Sequence, residues 1–263
     1  MSTIITIGLC FTSSINIDYS TGNKVTILEL LLKYNKEWII ENVHLSAYDI
    51  YYNSTNSYIK MFIPIIAAFP FVPAFCSERN CGNIRFVVAR TGRFRYYLSK
   101  FVTCMIGGGF AVSFGYALFG LIFIPIYPSV FNFPDNILIC ITNTEICKSI
   151  IYNVFGMFLY GAVSTIPALL FTSIIKNRYL ILCTPFMLIY LYQSIINRLI
   201  INALAKTDFE NIPRLENLSP DSIQSVFINS EDAIFIILFN MIYITITFAI
   251  YIMLLGRRLD KGD

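Results

Sequence analysis

The chain has 263 residues, of which 56% are hydrophobic and 13% charged, with a mean hydropathy of +0.66. A soluble domain carries roughly 25% charged residues, so an ordinary water-soluble globule is excluded. The net charge of +3 carries little by itself, because in a membrane protein the placement of charge matters, and no nucleic-acid partner is expected.

The chain is expected to be one transmembrane domain over 1–263. Met1 to Ile17 is apolar but short, holds several Ser and Thr, and lacks the basic region and cleavage site of a signal peptide. It is taken as a first span, 2–17. Lys24 to Ala47 repeats Ile27, Leu28, Leu31, Tyr34, Trp38 and Ile39 at helical spacing, with Glu29, Lys33 and Glu37 on another face. This predicts an amphipathic helix on the outer surface, either a surface-lying connector or a lid over an exit. His44 near its end has no metal-ligating companion in the sequence.

The remaining spans follow from stretches free of Asp, Glu, Lys and Arg, since crossing the hydrocarbon takes about 20 apolar residues. They are 58–76, with Lys60 snorkelling, then 101–127, 149–175, 179–202, with Arg198 snorkelling at its outer end, and 233–256. Prolines 64, 70 and 73 interrupt the second span, and Pro167 and Pro185 the fourth and fifth, where kinks are expected. Gly107 to Gly109 predict close helix packing.

With six spans and both ends in the cytoplasm of a cell membrane, the inner segments hold 11 of the 19 basic residues and 3 of the 16 acids. That satisfies the rule that basic residues stay inside. The outer segments include Cys140 and Cys147, which either form a small-loop disulfide or stand as two thiols. No CxxC pair, phosphate loop, HExxH or GxSxG occurs, and no Asp, Glu or His lies in the middle of a span. Neither an enzyme nor an ion-coupled carrier is expected, and no cofactor is expected on this chain.

The inner segment SERNCGNIRFVVARTGRFRYYLSK (77–100) carries the most information. Ile84, Val87 and Val88 fit one face of a short helix, and Arg79, Arg85, Arg90, Arg93 and Arg95 are spread along it. Arginines alone would serve topology. An apolar face in a loop exposed to water calls for a protein partner.

This segment, with what precedes it, resembles the membrane subunits of ABC-2-type ABC transporters. The resemblance lies in the Pro-rich IPIIAAFPFVPAF (63–75), in Glu78, Gly82, Arg90 and the RYYLSK ending at Lys100, and in the glycines opening the third span. It implies an all-α exporter permease of six transmembrane helices, paired as a homodimer or heterodimer, with ATP and Mg on a separate ABC ATPase. It also implies that the helix in 77–100 is a cytoplasmic coupling helix, with Glu78, Gly82, Ile84, Arg85, Val87, Val88 and Arg90 at the ATPase contact. Peptides, antimicrobial compounds and lipids are the substrates expected, in a lipid membrane. The family's elbow helix before the first span has no match here: either the start is truncated or the elbow is absent. The alternative expectation is a membrane scaffold that anchors a cytoplasmic partner without transport.

Overall fold

The computed structural model describes residues 1–18, 23–33, 47–55, 59–81, 83–124, 144–175, 177–205, 212–227 and 232–261. Trp38, His44, Gly82 and Cys140 lie outside these residues, so the outer-surface helix beyond Lys33 and the Cys140–Cys147 bridge fall there too.

The protein is a multi-pass helical membrane protein. Five stretches are helical, long and apolar enough to cross a bilayer: Lys60–Arg79, Arg93–Phe123, Cys147–Thr172, Arg178–Ala205 and Ala233–Gly256. The expected first span differs. Residues 2–17 are helical only as α1 (Ser2–Thr12), about 16 Å at 1.5 Å per residue against a hydrocarbon core of about 30 Å. From Ser14 the chain is extended, in an antiparallel hairpin of β1 (Ser14–Asp18) and β2 (Asn23–Thr26), with Ser14 opposite Thr26. The reason is legible in SINID: β-branched Ile15 and Ile17 alternate with polar residues at the period of a strand.

α1 presents Ser2, Thr6 and Cys10 to the bundle and leaves Ile4 and Ile5 exposed. Small residues inward and aliphatic residues outward is the pattern of a helix surrounded by lipid. The Thr6 hydroxyl donates to the Ser2 carbonyl at 3.0 Å, so its polarity costs little on burial.

The amphipathic segment also differs from expectation at its start. Lys24 to Thr26 is strand, and only then does α2 (Ile27–Lys33) begin. Thr26 and Glu29 form a capping box there. The Glu29 amide donates to Thr26 Oγ1 at 3.2 Å, and the Thr26 amide to Glu29 Oε2 at 3.3 Å. Ile27 and Leu30 are buried in the protein's own core, so this connector is docked on the bundle.

After α3 (Ala47–Asn53), the first full-length span is built from α4 (Ile59–Ala68) and α5 (Val72–Asn80), broken at Phe69–Phe71. Pro70 lies in the break, and α5 has a proline in its first turn, where the missing N–H costs nothing. α6 (Asn83–Thr91) is the short helix of the basic segment, and α7 (Arg93–Phe123) is the next span. α8 (Thr144–Ser164) and α9 (Ile166–Thr172) make another, interrupted at Thr165 just before Pro167. Pro64 and Pro185 sit inside unbroken helices. α10 (Arg178–Ala205) and α12 (Ala233–Lys261) complete the spans, with α11 (Ile212–Asn217) and a 3-10 turn (Pro220–Ile223) between them.

α7 and α8 are the central pair, and glycine sets their separation. A Cβ on Gly109 would come within 2.8 Å of Phe158, and one on Gly161 within 3.1 Å of the Gly108 carbonyl. Gly107 faces open space, so two of the three glycines serve the packing expected of them.

Two layers of core follow. At the end away from the basic segment, Tyr51, Tyr116, Phe119 and Phe123 pack with Ile27 and Leu30. At the basic end, Phe75, Ile84, Val88, Tyr96, Tyr97 and Phe101 pack with Tyr251 and Leu255 of α12.

Candidate functional site

The basic end is where the sequence-selected residues meet. Residues 77–80 end α5, Cys81 caps it, α6 follows, and Gly92 turns the chain into α7 with φ of +84°. Only glycine adopts that backbone freely. α6 is thereby laid across the end of the bundle.

The periodicity of α6 splits its apolar residues between two faces. Ile84 and Val88, four apart, are 6% and 9% exposed and pack on Tyr96, Tyr251 and Leu255. Phe86 and Val87 point away, 75% and 42% exposed. The apolar face read from the sequence is therefore divided: Ile84 and Val88 hold the helix to its own bundle, and the outward apolar surface is Phe86 with Val87. Phe86 was the residue missed. Its signal was present, since a residue two positions from Ile84 and Val88 must face the other way on a helix.

Glu78, Ile84, Val87 and Arg90 line one recess of about 740 Å³, together with Arg95, Tyr96 and Lys100. The Arg85 side chain and Gly82 lie outside the described residues. Glu78 and Lys100 form an ion pair, with the Lys100 ammonium donating to both carboxylate oxygens at 2.6 and 2.9 Å. The same ammonium lies 5.7 Å from the Tyr96 ring and 6.0 Å from the Phe75 ring, close enough for cation–π attraction. This pair joins α5 to α7. Arg79 joins α5 to the end of α9 by donating to the Thr172 and Ile175 carbonyls. Those carbonyls lie where a helix end leaves acceptors unsatisfied.

A second recess, of about 330 Å³, lies within the membrane-spanning part between α8, α10 and α12, roofed by residues 217–223. Its walls include Tyr160, Tyr192, Ile223, Asn240 and Tyr243, with no charged side chain among them. The Tyr192 hydroxyl donates to the Leu218 carbonyl at 2.8 Å and ties the roof to α10. A mostly apolar cavity with a few polar groups is the usual build of a small-molecule site.

Cys147 sits in the first turn of α8, partly exposed. Among the described residues, no three His, Cys, Asp or Glu side chains gather as a metal site. No family model, curated protein or solved structure matches the chain.

Proposed function

We propose that the chain is the membrane-spanning subunit of an ATP-driven exporter of the ABC-2 type, working as a pair of chains beside a separate ATPase that binds ATP and Mg. The observation that carries this reading is the two-faced α6. A partner grips Phe86 and Val87, and the buried Ile84 and Val88 pass the movement to α7 and α12. Glu78–Lys100 and Arg79 extend the linkage to α5 and α9. A helix rooted in this way converts a partner's movement into a shift between two bundle packings.

The basic end is cytoplasmic by the positive-inside rule, and the membrane is the cell membrane. α1 runs parallel to α7, with Thr6 at Gly115 and Phe11 against Phe119. That is the direction a first of six spans would take. The uncharged recess between α8, α10 and α12 suits an uncharged or amphipathic substrate, such as a peptide, an antimicrobial compound or a lipid. The second reading is a scaffold that holds a cytoplasmic partner on α6 without transport.

The test changes Phe86 and Val87 together to Asp. Both are exposed, so folding is expected to survive. The tagged chain is purified with its ATPase and ATP hydrolysis is measured in liposomes. Loss of the ATPase in the double variant supports the reading. A scaffold would keep its partner in the unchanged chain and show no substrate-stimulated hydrolysis. Recovery of the chain from native membranes without an ATPase would overturn the exporter reading. Ile84→Asp is the contrasting control, because a charge in that core should unfold the basic end.

A further inference from the structure

We infer that the recess among α5, α6 and α7 seats the phosphate group of an anionic phospholipid. It is lined by the cations Arg90, Arg95 and Lys100 against one carboxylate, Glu78. Glu78 is already engaged by Lys100 at 2.6 Å. Arg90 and Arg95 are exposed and pair with no acid among the described residues. The recess therefore holds two uncompensated guanidinium groups, whose fork of donors matches phosphate oxygens.

The level in the membrane selects lipid as the source. Lys100 immediately precedes the uncharged run of α7. Arg95 stands five residues earlier, about 7.5 Å along the axis. The recess thus lies at headgroup depth. Basic pockets beside spans at this depth hold anionic headgroups. The inference does not depend on the exporter reading, because binding can be measured without an ATPase.

The test uses native mass spectrometry of the purified chain, titrated with phosphatidylglycerol, with phosphatidylcholine and with inorganic phosphate. One retained phosphatidylglycerol per chain, with little phosphatidylcholine, is expected. Changing Arg90 and Arg95 together to Gln should weaken retention on the order of thirtyfold, and changing both to Lys should largely preserve it. If the double variant proves unstable, the comparison of the two lipids on the unchanged chain decides the matter. Equal retention of the two lipids by the unchanged chain, or unchanged retention in the Gln variant, would overturn the proposal. Displacement of the lipid by millimolar inorganic phosphate would reassign the site to free phosphate.

Discussion

At the residue scale, three glycines of the basic half answer differently to the same change. Gly92 has open space where a Cβ would go but a φ of +84°, so Gly92→Ala should cost about 1–2 kcal/mol from backbone strain alone. Gly107→Ala meets nothing in a normal helical conformation and should be neutral or slightly stabilising. Gly108→Ala would push into Thr165 and come within 3.0 Å of the Ala67 carbonyl, separating α7 from its neighbours. Thermal unfolding in detergent should rank Gly107 as the most tolerant. A larger loss at Gly107 than at Gly108 would mean that α7 is rotated from the orientation described. The Glu78–Lys100 pair is half-buried, with side-chain exposures of 45% and 22%. After allowance for solvent screening, a double-mutant cycle with Gln at both sites should give a coupling of about 1 kcal/mol. A coupling of zero would leave Arg79 as the main tie of α5.

At the element scale, α2 depends on its cap. Bonds from Thr26, and then the charge of Lys33 at 3.7 Å, hold the Glu29 carboxyl below its ordinary range. A depressed carboxyl stabilises the fold above its ordinary value and loses that contribution as pH falls through the lowered one. The Thr26 and Glu29 amides should therefore exchange hydrogen faster in acid, beyond the intrinsic pH effect, and Glu29→Gln should abolish the difference. An unchanged protection profile would show that the cap does not hold α2. The break at Thr165 belongs to this scale as well. Pro167 cannot supply a helical N–H, so Pro167→Ala should join α8 to α9 and stiffen that span. Slower amide exchange at 165–168 would register it.

At the scale of the whole molecule, the spans are unequally covered. The most apolar stretches of α10 and α12 are 17% and 11% buried, against 61% for the span of α8 and α9. Apolar helices so little covered by their own chain face lipid or another protein surface. With the proposed pairing of chains, a cysteine at Met253 of α12, 65% exposed, should cross-link between two copies in membranes when native cysteines are removed. Cross-linking at Met187 of α10 instead would move the interface to that helix, and none at either site would argue for lipid on both. Orientation is checked separately: a cysteine at Thr91 should react only in opened cells, and one at Asp232 in intact cells.

The sequence by itself determined the class of the protein and five of its spans, because a bilayer demands long uncharged helices and the composition can show little else. It also marked the basic segment, since Arg and Lys cluster where α5, α6 and α7 meet. It did not determine α1, where a short apolar run was compatible with a span until the alternation of Ile15 and Ile17 won for a strand. Nor could it divide the face of α6. Ile84, Val87 and Val88 are equally apolar and similarly spaced, and only the approach of Tyr251 and Leu255, over 160 residues later in the chain, buries two of them and leaves Val87 with Phe86 outside. Tertiary structure likewise brought Glu78 to Lys100. Such pairings are set by how helices cross, and helical periodicity within one segment carries no information about the segment it will meet.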